Sequence, residues 1–363
     1  MKWSWKLGRF AGIDVYIHAT FLLLVGFYGV SYGANGGGVA AMIEGIAFIL
    51  ALFGCVLLHE YGHALTARRY GIPTRDITLY PIGGVARLER MPDKPRQELW
   101  VALAGPAVNV VIAAAVGAWL FFSNAFVPSS ELSMMSGSFL QRLMMVNLSL
   151  VVFNLIPAFP MDGGRVLRAL LATRMDYVRS TRIAATLGQG IALVFGFVGL
   201  FTAPTLIFIA FFVWIAAGQE LGMVQMKATL TGIPVSRAML TDFRTLHPLE
   251  PVSRAMNLIV SGVQQDFPVV DQGRLVGILT HEDLLEALKQ GRSHLSVGHV
   301  MRRDFEWIDA NDLLEAAFAR LSGSSLQSAP VTWRGQLVGL LTMENVRKFL
   351  MVQNMLNSAR RRI

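Results

Sequence analysis

Apolar residues run in long blocks through the first 225 positions and in short alternating groups after about 235, so the chain divides by pattern alone. Blocks at about 17–34, 40–66, 98–122, 139–161, 184–201 and 205–224 have the length that crosses a hydrocarbon layer of about 30 Å as a helix. The pattern predicts an all-α polytopic membrane domain of about six transmembrane helices, then an α+β tail. Expected boundaries are 1–225 for the membrane domain, 226–235 for a linker, and 236–290 and 291–363 for two tail units, the second including a basic C-terminal end.

Charge placement supports this division. Lys2, Lys6 and Arg9 precede the first block, Arg68, Arg69, Arg75, Arg87, Arg90, Lys94 and Arg96 follow the second, and Arg165, Arg168, Arg174, Arg179 and Arg182 follow the fourth. The loops between hold no Lys or Arg. Because cytoplasmic loops are the basic ones, the alternation predicts an even number of spans and a multi-pass cell-membrane protein, its N-terminus and tail both cytoplasmic. The composition, 53% apolar and 15% charged, is too hydrophobic for an ordinary soluble domain. The net charge of +8 is accounted for by loops facing anionic lipid, so no nucleic-acid partner is expected. No small-residue cleavage site clearly follows the first block, which reads as a retained helix. Cys55 is the sole cysteine, which rules out an intramolecular disulfide framework.

Ionisable groups at bilayer depth mark candidate chemistry. The second block ends in His59-Glu60-Tyr61-Gly62-His63. Histidines four apart on a helix share a face and can bind one metal, leaving Glu60 beside them to work on water. Catalytic zinc keeps three protein ligands and one open position, so a third ligand is expected. Asp162, in Asn154-Leu155-Ile156-Pro157-Ala158-Phe159-Pro160-Met161-Asp162-Gly163-Gly164, lies at the cytoplasmic end of the fourth block, at matching depth. Asp-Gly-Gly after two prolines is also ordinary turn chemistry, and the two readings compete.

HEYGH in one membrane helix with NLIPAFPMDGG in a later one resembles the site-2 protease family of intramembrane metalloproteases, over roughly residues 1–225. Gly105-Pro106-Ala107-Val108-Asn109 and Pro81-Ile82-Gly83-Gly84-Val85 extend the likeness. The resemblance implies one zinc ion per chain held by His59, His63 and Asp162, with Glu60 as catalytic acid–base, in an endopeptidase that cleaves transmembrane protein substrates. Asn154 is a candidate donor to the developing oxyanion, or equally a helix-packing amide. Residues 76–89 alternate around a Pro-Gly turn and suggest a re-entrant β-hairpin whose edge accepts the substrate as an added strand, against the alternative of a plain loop.

The tail repeats itself. Phe267-Pro268-Val269-Val270-Asp271 and Gly277-Ile278-Leu279-Thr280-His281-Glu282-Asp283 find counterparts in Ala329-Pro330-Val331-Thr332 and Gly339-Leu340-Leu341-Thr342-Met343-Glu344-Asn345. The repeat resembles a pair of cystathionine-beta-synthase (CBS) domains, which implies a regulatory adenine nucleotide such as ATP or AMP, contacts from Thr280 and Asp283, and a homo-oligomer through the pair. A helix cap is the simpler role for the same two residues. Asn345 replaces the acid in the second repeat and weakens that pocket. CBS pairs also hang from transporters, so a nucleotide-regulated transporter is the alternative. It would show matching halves with broken helices and gives HEYGH no role.

Overall fold

Ile13, Val15 and Ile17 alternate with Asp14, Tyr16 and His18, a period that suits a strand rather than the start of a membrane helix. In a computed structural model, which describes residues 3–34, 38–92, 94–126, 138–262, 264–292, 294–323 and 326–360, this segment is indeed extended. Strands β1 (Ser4–Phe10) and β2 (Ile13–His18) pair antiparallel, joined by Ala11 and Gly12, both at positive φ. Helices α1 (Ala19–Tyr32) and α2 (Gly38–Arg69) follow, then β3 (Thr74–Tyr80) and β4 (Gly83–Leu88). β2 runs parallel to β3, and the sheet order is β1-β2-β3-β4, leaving β4 at an edge. The expectation of an all-α membrane domain is therefore corrected to a helical domain with a four-stranded sheet. The first apolar block begins inside β2, because hydropathy alone does not separate a buried strand from a helix. Within 76–89, where a re-entrant hairpin is expected, the chain pairs antiparallel as β3 and β4.

The remaining helices of this region are α3 (Pro95–Phe122), α4 (Phe139–Asn154), α5 (Asp162–Ala172), α6 (Tyr177–Phe201) and α7 (Pro204–Leu230). Among the described residues four helices of the region, α2, α3, α6 and α7, are long and apolar enough to cross a membrane. The apolar helices α1 and α4 are shorter, at 14 and 16 residues, so the expected six full-length spans are four long helices and two short ones among the described residues. α4 stops at Asn154 rather than 161 because Pro157 cannot continue an α-helix. α6 starts at Tyr177 rather than 184, since Asp176 caps it and accepts a bond from the Arg179 amide at 2.8 Å. Arg179 and Arg182, expected in a loop, lie in its first turns.

The helices are small inside and large outside. Ala64, Ala67, Ala102, Gly105, Ala113, Ala184, Ala185 and Ala192 are buried, while Leu23, Phe27, Val111, Phe122, Phe197, Phe201 and Phe208 are exposed. Small residues let helix backbones approach closely where lipid offers large side chains an equally apolar surrounding.

Contacts divide the chain into residues 1–222 and 223–363. The second unit holds α8 (Val252–Ser261), β5 (Phe267–Asp271), β6 (Arg274–Leu279), α9 (His281–Lys289), α10 (Val297–Val300), β7 (Ile308–Asp309), α11 (Leu314–Gly323), β8 (Ser328–Trp333), β9 (Gln336–Thr342) and α12 (Met343–Arg360). Its two sheets, β5-β6 and β7-β8-β9, each cover an aliphatic core. One core gathers Leu246, Val269, Leu279 and Leu284, the other Leu230, Val235, Val331 and Leu341. α7 runs to Leu230, within the stretch expected as a linker, and the basic end beyond residue 360 lies outside the described residues.

Candidate metal centre

His63 follows His59 by four positions, about one turn of α2, and both side chains are buried. Asp162 is the first residue of α5, reached after the helix break at Pro157 and a cis Phe159–Pro160 bond. The three meet. His59 Nε2 and His63 Nε2 lie 3.1 Å apart, and each is 3.1 Å from Asp162 Oδ2. They form the one group of three or more metal-ligating side chains found among the described residues.

Proton bookkeeping shows what such a triangle needs. His63 Nδ1 donates to the Val101 carbonyl at 2.7 Å, since a carbonyl oxygen can only accept, and so Nε2 presents its lone pair. His59 Nδ1 is placed likewise, donating to Asn109 Oδ1 at 3.2 Å. Two imidazole lone pairs and a carboxylate oxygen then converge with no proton between them, an arrangement that repels unless a cation is shared. Zinc–nitrogen bonds of about 2.0–2.1 Å in a tetrahedron put neighbouring donors about 3.3 Å apart, close to the edges of this triangle. The donor set, two neutral imidazoles and one carboxylate, also suits zinc. The residues present fit the ion.

Helix α3 makes the space. A Cβ at Gly105 would lie 2.2 Å from His63 Nε2 and 2.6 Å from His59 Nε2, so no larger residue fits there. Gly62 has the matching role on α2, where a Cβ would lie 2.6 Å from the Ala104 carbonyl oxygen. Gly163 and Gly164 let the start of α5 nest against the carbonyls of Leu155, Ile156 and Ala158. Asp162 Oδ1, the oxygen outside the triangle, faces Arg165 at 3.9 Å.

Glu60 points to the sheet rather than into the triangle. Its Oε2 accepts the Ala86 amide of β4 at 3.1 Å, and Gly84 leaves room for its methylenes, since a Cβ there would sit 2.6 Å from Glu60 Cγ. Ala86 faces Ile77 in the β3–β4 ladder, and its amide is taken up by Glu60. Cys55, one turn before His59, is buried beside Phe48 and Leu143. Asn154 closes α4 and is half-buried. The asparagine that touches the triangle is Asn109, which the sequence offered only as part of a shared motif. No spacing rule joins positions 50 apart, so Asn109, Val101 and Gly105 acquire their roles only through packing.

In the tail, Thr280 caps α9, its Oγ accepting the Asp283 amide at 3.2 Å and donating to Asp283 Oδ2 at 2.5 Å. Arg302 grips the same carboxylate, with Nε 2.7 Å from Oδ2 and Nη2 2.9 Å from Oδ1, and this pairing keeps the guanidinium pKa above its usual value. The second repeat keeps the cap, Thr342 with Asn345, but places Leu240 where the first has Arg302. Arg302 was not anticipated, because it is contributed from beyond α9.

Comparison with known proteins gives the same division. The model of Peptidase family M50 matches residues 47–135 and 127–197, and the CBS domain model matches 235–290 and 297–352. A zinc metalloprotease of Methanocaldococcus jannaschii is 35% identical over 281 residues, 77% of this chain and 78% of the relative. Rip3 of Mycobacterium tuberculosis, named as a candidate zinc metalloprotease, is 30% identical over 371 residues, 96% of this chain and 93% of its own. Among solved structures, the site-2 protease from Methanocaldococcus jannaschii is 35% identical, covers 60% of this chain and 95% of its own, and superposes with a TM-score of 0.45.

Proposed function

The chain belongs to Peptidase family M50, the site-2 protease family, with tandem CBS domains, and from that premise we propose a zinc endopeptidase that cleaves membrane-spanning proteins within the bilayer. The observation that carries the reading is the buried triangle of His59, His63 and Asp162 among helices able to cross a membrane. Zinc held by these three side chains would polarise a scissile carbonyl and make its water acidic enough to attack near neutral pH. The protein's own groups do the rest. Val101 and Asn109 fix the imidazole tautomers so that both Nε2 lone pairs face the ion. Glu60, one residue from a ligand, takes the proton of the attacking water and returns it to the departing amine. Asn154 serves as a donor to the oxyanion.

The substrate must unwind, since helical peptide bonds are shielded. The free edge of β4 is the place for it to pair as an added strand, on the side where the Ala86 amide meets Glu60. The basic loops argue for a cell-membrane protein with both termini in the cytoplasm. Adenine nucleotide at Thr280 and Asp283 is the proposed regulator, acting through different affinities for two arrangements of the protein. A nucleotide-regulated transporter gains no support, since the metal triangle has no part in one.

The test is cleavage of a membrane-spanning test substrate by purified protein in lipid vesicles, with the cut bond located by mass spectrometry. The native chain should cut inside the apolar segment. Glu60→Gln should be 10²–10⁴-fold slower, about the share of a general base, while retaining zinc. A cut confined to flanking polar residues, or full activity in Glu60→Gln, would sink the reading.

A further inference from the structure

Arg168 is the largest fully buried side chain among the described residues, with no exposed surface, in a region read from sequence as a basic cytoplasmic loop. Its Nε donates to Glu98 Oε1 on α3 at 2.7 Å and its Nη1 to Glu220 Oε1 on α7 at 2.5 Å. Its guanidinium carbon lies 5.0 Å from the ring centroid of Phe159 and 5.0 Å from that of Tyr177. The group is thus held on both edges by carboxylates and contacted by two rings, an arrangement suited to the flat fork of arginine and not to lysine.

Arg168 belongs to the helix that begins with Asp162. α5 is only 11 residues long, and its other buried positions after Asp162 are Gly163, Gly164 and Ala169. Such small side chains pack closely but hold little apolar surface, so the ion pairs and rings around Arg168, with Leu167 packed beside Phe159, restrain how far and at what rotation the helix sits. Phe159 extends the restraint to the turn that delivers Asp162. The partner helix carries the rest of the pattern. Glu98, Val101, Gly105 and Asn109 recur at intervals of three, four and four, one face of α3. Along that face α3 grips Arg168, orients His63, clears space for both imidazoles and orients His59.

We propose that Arg168, clamped by Glu98 and Glu220 between Phe159 and Tyr177, is a positioning residue that sets Asp162 against the histidine pair. The inference rests on the metal-centre reading above. If the native chain binds no zinc, it is that reading which fails.

The test uses the full chain in detergent, loaded with zinc for affinity and with cobalt for its visible spectrum, which reports ligand geometry. Arg168→Lys keeps the charge but loses the fork. It should bind zinc 10–100-fold more weakly, the usual cost of disturbing a ligand's support, and its cobalt bands should shift. Glu220→Gln removes one ion pair at a partly exposed position and should weaken zinc binding in the same direction by a smaller factor. Arg142→Lys is the control. Arg142 is another buried arginine, over Phe48 and paired with Glu44, and its variant should keep native zinc affinity and spectrum. Native zinc affinity and cobalt bands in either Arg168→Lys or Glu220→Gln would overturn the proposal, and so would an equal loss in Arg142→Lys. Should Arg168→Lys fail to fold, Glu220→Gln alone decides.

Discussion

The two units of the chain bury different mixtures of residue, the first richer in small and polar side chains. The tail hides aliphatic side chains, among them Leu246, Val269, Leu279, Val331, Leu340 and Leu341. The membrane region hides many alanines and glycines along with His59, His63, Asn109, Asp162 and Arg168, and exposes Phe27, Phe122, Phe197, Phe201 and Phe208 while Phe21, Phe48, Phe53 and Phe159 stay inside. A soluble core gains its stability from taking large apolar groups out of water. In lipid that gain is absent, so close approach and polar pairing decide the packing, and a buried polar cluster is compatible with the core rather than an exception to it.

Substitutions sharpen the contrast. Leu279→Ala should cost the tail about 2–5 kcal/mol, as large-to-small changes in an aliphatic core do, whereas Phe197→Ala on the outward face of α6 should change stability far less. Calorimetry in detergent would break the comparison if the two losses were equal. The reverse change should hurt the membrane region. Gly105→Ala adds one methyl where a Cβ would lie 2.2 Å from His63 Nε2, so zinc content should fall 10-fold or more at limiting metal while the tail melts as before. Native zinc content would show that the imidazoles can move aside. The smallest effect is expected at Thr280→Ala, which removes a helix cap worth about 1 kcal/mol from the tail and should leave zinc binding alone. If it also abolished a nucleotide-induced rise in melting temperature, Thr280 would be a ligand contact as well as a cap.

The same contrast explains what the sequence could reveal. HEYGH and the Asp162 turn were legible because a metal needs particular residue types at helical spacing and both lie at one depth. The paired tail was legible as a repeat. The strand at Ile13–His18 carries a clear alternation, but an apolar run beginning at residue 17 reads equally as a span. Arg168 was unreadable for a different reason. A basic residue after an apolar block normally faces the cytoplasm, and its partners Glu98 and Glu220 lie 70 and 52 positions away. Arg302 escaped notice likewise, its partner Asp283 being 19 residues away across α10.

The most direct measurement is zinc-edge X-ray absorption on the purified native chain with metal content determined in parallel. One zinc per chain is expected, four-coordinate, with two imidazole donors and oxygen donors at about 2.0–2.1 Å, and loss of the ion from Asp162→Ala. Zinc below one per chain after saturation, or a bound ion whose spectrum carries no imidazole scattering, would contradict it.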